Sequence, residues 1–179
     1  MMKKDDYVLM LDYLPYGYPL EGKMFPIVQC IWEKYFALLQ LAPVRGATFE
    51  AYERIYIGPD KRDKVSYIIG RLPQEKLTEQ AKLKLAEFIA KIVGEREQEF
   101  VDFFNKAQAI NTRLHRLELL PGFGKKHTNE ILKARDEKAF ESFEDIRQRA
   151  SNVPEPKRAI EKRLYEEITE RQRHALFVI

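Results

Sequence analysis

Apolar and polar positions follow two different periods along this chain, and the change falls near Pro73. Before Pro73, runs rich in β-branched and aromatic residues are separated by turn residues, which is typical of strands. Five strands are predicted there, over residues 7–14, 24–32, 35–44, 52–57 and 65–72. After Pro73, apolar residues recur at helical spacing, for example at Ala81, Leu85, Phe88 and Ile92. The pattern predicts an α+β protein in which a small N-terminal β-barrel or sandwich precedes an all-α region.

Local signals refine the two halves. The polar pair Glu33-Lys34 lies between two apolar runs and predicts a hairpin turn. In the helical half, Gly94 is an expected helix stop, and Thr112 is an expected cap of a helix running to about Leu119. Further helices are expected over residues 126–135 and from the two prolines at 154 and 156 to about 173. Ser142 and Asp145 have the spacing of a capping box.

The chain divides into three parts, and its charges are unevenly distributed among them. We expect a β domain over 1–73, connecting helices over 74–110 and a helical domain over 111–179. Charged residues make up 33% of the chain, with a net charge of +3. The last part holds 15 basic and 12 acidic residues, whereas the first two parts are close to neutral. An anionic partner is therefore best placed on the last part.

Several classes of protein are disfavoured by what the sequence lacks. Cys30 is the single cysteine, so no intrachain disulfide forms and a reducing, cytoplasmic location is expected. No Cys/His cluster has zinc spacing, and we predict neither a metal site nor a cofactor. The first six residues introduce no apolar region of the signal-peptide type. No apolar stretch approaches the ~18 residues of a membrane span, so no membrane partner is expected.

The most informative stretch runs from Leu117 to Arg135 and centres on Pro121-Gly122-Phe123-Gly124-Lys125-Lys126. It resembles the helix-hairpin-helix motif of DNA- and RNA-binding proteins. The resemblance implies two helices joined by a tight glycine turn. Glycine supplies the positive φ that such a turn needs. At the start of the following helix, the amides of Gly124, Lys125 and Lys126 are expected to be unpaired. With the helix dipole, they would form a site for a phosphate oxygen.

The predicted nucleic-acid contacts comprise the turn, the helix after it and the neighbouring basic residues. They are Gly122, Gly124, Lys125, Lys126, His127, Lys133, Arg135, Arg113 and Arg116. Phe123 is expected to face Leu120 and Ile131 between the helices, away from any base. The alternative is a purely structural Pro-Gly turn, or a turn of this type that contacts another protein.

A second, degenerate copy of the hairpin is expected over residues 153–160, where the two glycines are absent. This unit is predicted to complete the fold as a packing partner. Its basic residues either contact phosphates or form a solvated helix face, and the second interpretation is favoured. They are Lys157, Arg158, Lys162 and Arg163.

Five strands of this size are compatible with an OB-like barrel, which presents aromatic rings to nucleobases. The whole chain resembles a family of uncharacterised archaeal proteins predicted to bind nucleic acid, with an OB-like domain before helix-hairpin-helix units. The residues that carry the resemblance are 35–39, 54–58, 100–105, 117–126 and 140–146. The resemblance implies binding, with RNA weakly favoured over DNA, and supplies no catalytic residues.

The sequence carries no complete catalytic pattern. Hairpins of this kind occur in base-excision glycosylases, whose catalytic aspartate would correspond most nearly to Asp145, but that residue is better explained as a helix cap. Glu95-Arg96-Glu97 is a weak echo of a nuclease metal site, and there is no P-loop. We therefore expect a non-enzymatic protein that binds the RNA or DNA backbone. The alternatives are a protein-interaction adaptor and, less favoured, a repair or RNA-processing enzyme.

Overall fold

A computed structural model describes residues 6–178 of the chain, so that residues 1–5 and Ile179 lie outside the described part. The expectation of no signal peptide rests on the first six residues and thus falls almost entirely outside it. Among residues 6–178, no helix is long and apolar enough to cross a membrane.

The N-terminal half forms a curled, antiparallel half-barrel sheet of five strands. The strands are β1 (Tyr7–Leu14), β2 (Ile27–Trp32), β3 (Leu38–Pro43), β4 (Arg54–Tyr56) and β5 (Val65–Arg71). Their order is β4-β1-β2-β3-β5, which leaves β4 and β5 at the two edges. The five predicted strands are thereby confirmed, β1 with the predicted ends and the other four with shorter ones. The sheet is a half-barrel rather than a closed barrel or a sandwich.

The β2–β3 hairpin turns at the polar pair predicted from the sequence. The Trp32 amide donates to the Ala37 carbonyl at 2.9 Å, which closes the turn around Glu33 and Lys34. Phe36 has a φ of +56°, an uncommon value for a residue with a side chain, and it is buried. Burial of this ring offsets the backbone cost of the turn.

The sheet is connected to the first helix through buried polar groups. Thr78 Oγ1 accepts a hydrogen bond from the Ala81 amide at 3.0 Å and donates to Asp12 at 2.6 Å. Gln29 is fully buried in β2, and its side chain bonds the Lys76 carbonyl and the Thr78 amide. These bonds satisfy groups that would otherwise be costly to bury, and they fix where the helix begins.

The described part of the chain contains five α-helices and one short β-hairpin. The helices are α1 (Glu79–Glu95), α2 (Glu97–Lys106), α3 (Lys125–Glu137), α4 (Phe143–Arg149) and α5 (Pro156–Thr169). The hairpin is formed by β6 (Ala109–Asn111) and β7 (Leu114–His115), and 3-10 turns lie at Pro19–Glu21, Gln74–Lys76 and Arg116–Leu119. Helix α1 continues through Gly94 to Glu95, one residue past the expected stop.

The described residues form two compact units, one of residues 6–85 with 168–178 and one of residues 86–167. Helices α1 and α5 each continue from one unit into the other. The division of the sequence at 73 and 110 into a β domain, connecting helices and a helical domain stays a prediction. The second unit has its own core of fully buried side chains, among them Phe104, Leu117, Leu120, Ile131, Phe140 and Ile146.

Candidate functional site

The predicted Pro-Gly turn is present between the 3-10 turn Arg116–Leu119 and α3. The Phe123 amide donates to the Leu120 carbonyl at 3.0 Å, and Gly122 has a φ of +82°. A Cβ placed on Gly122 would lie 3.3 Å from Pro154 Cγ. Gly122 is therefore required both by the left-handed backbone and by the close approach of the segment before α5.

Phe123 is buried, as the sequence predicted. Its ring lies 6.1 Å from the ring of Phe104 and 5.8 Å from that of His127, measured between centroids. These contacts, made by rings that pack in tilted and edge-on arrangements, hold the turn against the core of the second unit. Phe123 is consequently not placed to stack on a base.

The helix predicted from Thr112 to Leu119 is wrong. Asn111 Oδ1 accepts hydrogen bonds from the amides of Arg113 and Leu114, which makes a turn between β6 and β7 instead. The 3-10 turn that follows begins at His115, whose Nδ1 accepts from the Leu117 amide at 3.1 Å. The element before the Pro-Gly turn is thus a β-hairpin with a single 3-10 turn, where the motif would have an α-helix.

The start of α3 differs from the prediction in one amide. The Gly124 amide was expected to be unpaired, but it donates to His127 Nδ1 at 3.0 Å. The first amide to bond within the helix is that of Thr128, which donates to the Gly124 carbonyl. In the described structure the amides of Lys125 and Lys126 have no acceptor. The set of open donors is therefore two amides, where three were expected.

Gly124 leaves this helix start open. Its φ of −116° and ψ of −169° are extended values that any residue adopts, so the backbone does not require glycine. A Cβ at Gly124 would meet no atom within 4 Å. Gly124 and the two lysines after it are all exposed. The absent side chain thus leaves the amides uncovered and does not relieve strain.

Among the five α-helices of residues 6–178, α3 has the least protected N-terminus. Side-chain oxygens of Thr78, Ser142 and Glu155 accept from the first amides of α1, α4 and α5. Helix α2 has two glutamates in its first turn. Helix α3 has no acid in its first turn and no side-chain oxygen on its first amides.

The charges in the first turn of α3 also run against its dipole. Lys125 and Lys126 lie at its positive end without an acid, whereas its last turn holds the favourably placed Arg135 beside Asp136 and Glu137. An acid at a helix start stabilises the helix by about 0.3–1 kcal/mol, so each of the two lysines disfavours it by a similar amount. An anion bound at the helix start would remove that penalty.

The two lysines are not equivalent. Lys125 Nζ lies 3.4 Å from a Glu118 carboxylate oxygen and donates to the Arg113 carbonyl at 3.0 Å. The hydrogen bond from the His115 amide, together with Lys125, lowers the pKa of Glu118. Lys125 is therefore partly neutralised and ties α3 to the β6–β7 segment. Lys126 is exposed and has no partner among the described residues.

The remaining predicted contacts fall into two groups. Arg113, Arg116 and Lys133 are exposed, and no described residue pairs with their side chains. Arg135 is half-buried, and its Nη1 donates to the Phe104 and Ala107 carbonyls at 3.1 and 2.8 Å. It closes the C-terminal end of α2, so its Nη1 is not open to a phosphate.

Of the four basic residues of α5, Arg163 does not lie on a solvated face. It is 6% exposed, forms a buried ion pair with Glu167 at 2.9 Å and donates to the Leu119 carbonyl at 3.3 Å. Removing either charge would leave the other buried without a partner, which is strongly unfavourable. Arg163 thus links α5 to the segment before the Pro-Gly turn.

Asp145 is engaged in local structure. Ser142 Oγ accepts from the Asp145 amide at 2.9 Å, as expected for the cap, but the Asp145 carboxylate accepts from the Glu141 amide and not from Ser142. It also lies 3.1 Å from Arg149. Although burial opposes the change, these two interactions lower the pKa of Asp145. No group of three or more His, Cys, Asp or Glu residues within 6–178 has metal-site geometry.

Comparison with known proteins places the chain in a family. Residues 4–179 match the model of the family described as "Protein of unknown function (DUF655)", and the chain belongs to that family. It is 40% identical over 178 residues to the uncharacterized protein MJ0038 of Methanocaldococcus jannaschii, an alignment that covers 98% of this chain and 81% of that protein. It is also similar to the crystal structure of Af1531 from Archaeoglobus fulgidus, with 39% identity and a TM-score of 0.81. That match covers 98% of this chain and all of the other.

Proposed function

We propose that this protein binds the phosphate backbone of nucleic acid at the N-terminus of α3. The helix start supplies two neighbouring amides without an acceptor, those of Lys125 and Lys126, and the exposed ammonium of Lys126 adds charge beside them. Phosphate groups bind at such positions because the amide hydrogens and the helix dipole both favour a negative oxygen. RNA is placed before DNA on the family resemblance alone.

The observation that carries this proposal is the contrast between α3 and the other helices. Three helices cap their first amides with a side-chain oxygen, and a fourth has glutamates in its first turn. Only α3, within residues 6–178, combines uncapped amides with two lysines in the first turn. That combination is unfavourable in isolation and favourable with a bound anion, which supports a binding role over a structural one.

Contacts of this type recognise phosphate and sugar, so they carry no sequence information. Binding through them should be tolerant of sequence and should weaken steeply with salt, because each neutralised phosphate releases counterions. Lys133, Arg113 and Arg116 are exposed and can add further phosphate contacts.

Lys126→Gln tests the proposal directly, because Lys126 has no partner whose loss would disturb the fold. The variant should weaken binding to RNA and DNA and lower the slope of log K against log salt by about 1. Fluorescence anisotropy at several salt concentrations measures both quantities. Lys125 is a poorer choice because it is paired with Glu118.

Lys91→Gln is the matched control. Lys91 is an exposed lysine of the second unit, and its ammonium lies 3.8 Å from Glu95 of the same helix. It removes the same charge from the protein without touching α3. Equal losses in the two variants would mean that net charge alone drives binding, and the site at α3 would be rejected.

A protein-interaction adaptor is the second candidate, and one observation favours it. The segment between β1 and β2 exposes large apolar side chains, namely Tyr16, Leu20, Met24 and Phe25. Exposed apolar groups concentrated in one segment are typical of protein contacts. An adaptor would show no nucleic-acid binding even at low salt, whereas the first proposal requires its strongest binding there.

A further inference from the structure

The second unit contains a groove between α1 and α5. It has a volume of about 200 Å³ and is lined by Ala86, Ile89, Arg158, Glu161, Lys162 and Tyr165. Its lining surface is mostly apolar. Pockets that enclose whole drug-sized ligands measure about 300–1,000 Å³, so this groove can receive only a single ring or a sugar.

The rim of the groove is positively charged. Arg158 and Lys162 are exposed and lie one helical turn apart on α5, and in the described chain neither side chain has a partner. The acid beside them, Glu161, has Lys157 3.7 Å away. The rim is therefore cationic, although it contains one carboxylate. Two such cations, one of them a planar guanidinium, are suited to phosphate oxygens.

We infer that this groove holds one unpaired nucleotide. Its ring or ribose would lie against Ala86, Ile89 and Tyr165, and its phosphate would contact Arg158 and Lys162. Aromatic and apolar floors beside basic side chains are the usual means of binding single strands. A base in a duplex cannot enter, because it is stacked and paired. The inference rests on the proposed function insofar as the nucleotide belongs to a longer strand.

The start of α5 lies close to the site at α3, which favours a strand over a free nucleotide. Pro154, just before α5, approaches Gly122 in the turn that leads into α3. Arg163 of α5 bonds the Leu119 carbonyl on the other side of that turn. The segment that leads into the first turn of α5, which carries Arg158, therefore lies next to the turn that leads into α3. In the proposed arrangement one negatively charged strand would contact both.

Filling the groove tests the inference. Ala86 is exposed, so Ala86→Phe can place a ring in the groove without crowding the core. Leu83→Phe is the control, since Leu83 is an exposed position of the same helix that does not line the groove. Arg158→Gln combined with Lys162→Gln removes the cationic rim. Anisotropy with a labelled oligouridylate and with an RNA duplex of equal length measures binding to the two forms.

Ala86→Phe should weaken oligouridylate binding about tenfold, which is the loss expected when one base no longer stacks. It should leave duplex binding unchanged. The double charge variant should also weaken the single strand more than the duplex. Equal effects on both nucleic acids, or none, would overturn the inference, while the effect of Lys126→Gln would still support the proposed function.

Titration with uridine monophosphate, followed by NMR of the groove residues, separates the two sources of a nucleotide. One outcome is that uridine monophosphate shifts the signals of Ala86 and Ile89 while Ala86→Phe leaves oligouridylate binding unchanged. That outcome would assign the groove to free nucleotides and reject the strand. If the protein binds no nucleic acid and these residues do not shift, both the groove and the proposed function fail.

Discussion

Replacing Gly124 by aspartate should make the protein more stable and at the same time weaken its binding to nucleic acid. Gly124 stands at the N-cap of α3 with an extended backbone that aspartate adopts without strain. Its carboxylate would accept from the open amides of the first turn. The same amides would then no longer be available to a phosphate, and the added charge would repel one.

The size of the effect follows from the cap and from the dipole. Aspartate exceeds glycine at an N-cap by a few tenths of a kcal/mol, and a carboxylate at a helix start adds about 0.3–1 kcal/mol. Together these raise the free energy of unfolding by about 0.5–1.5 kcal/mol. For a chain of 179 residues, the melting temperature should rise by about 1–6 °C.

Two further variants separate the causes. Gly124→Asn caps the amides without charge, so it should also stabilise the protein and weaken binding, to a smaller extent than Gly124→Asp. Gly124→Ala supplies no acceptor, and its methyl group would meet nothing within 4 Å. It should lower stability by about 0.5 kcal/mol and retain most of the binding.

Thermal unfolding and anisotropy with single-stranded RNA at low salt give the two readouts. The result that refutes the reasoning is a Gly124→Asp protein that is more stable and binds as tightly as the natural sequence. In that case the amides are open but do not hold phosphate. A loss of stability in Gly124→Asp would instead show that the first amides of α3 already have acceptors.

Three other predictions concern the fold of the second unit. Gly122→Ala should lower the free energy of unfolding by about 1–2 kcal/mol, because its φ is +82° and Pro154 lies 3.3 Å from the added methyl. Gly94→Ala, inside a helix and with no atom nearer than 3.6 Å, should instead raise it by up to about 1 kcal/mol in urea unfolding. Burial lowers the pKa of His115 below 6.5 in the folded protein. The neutral ring therefore contributes fully to the free energy of unfolding above pH 6.5. This contribution is lost as the pH falls through the folded pKa, because the protonated ring can no longer accept a hydrogen bond from the Leu117 amide. His115→Asn should therefore reduce the difference in urea midpoint between about pH 7.5 and about pH 5.5, and an unchanged difference would contradict this assignment.

The N-terminal sheet could be predicted from the sequence because its signals are local. Alternating residues, the Glu33-Lys34 turn and the break after the fourth strand are all contained within a few positions. The curvature and the pairing of β4 with β1 are not local. They depend on which edge each strand meets, and short runs of apolar residues do not encode that choice.

The segment before the Pro-Gly turn could not be predicted in the same way. Its leucines satisfy the helical pattern, but Asn111 bonds the next two amides and starts a β-turn instead. The three or four residues left before the turn are too few for a stable helix. The capping of the Gly124 amide by His127 also escaped prediction, since histidine is not a usual partner at a helix start.

The groove lies beyond sequence reasoning for a different reason. Its two walls come from residues 86–89 and 158–165, which are far apart in the chain. The basic residues of α5 could be listed from the sequence, but their surroundings could not. Arg158 and Lys162 border a groove, whereas Arg163, next to Lys162 in the chain, is buried with Glu167.

The two proposed contacts would contribute to binding in different ways. A phosphate held at α3 is recognised through charge and amides, so that part of the affinity falls steeply with salt and does not distinguish single strands from duplexes. A ring held against Ala86 and Ile89 is bound mainly by apolar contact, which salt hardly weakens. Because a duplex base cannot enter the groove, this apolar contact multiplies the affinity of the single strand alone, by a factor that salt hardly changes. Affinity for both forms should therefore fall with salt while a preference for single strands persists at high salt, whereas binding through α3 alone would give Ala86→Phe and the natural sequence the same preference at every salt concentration.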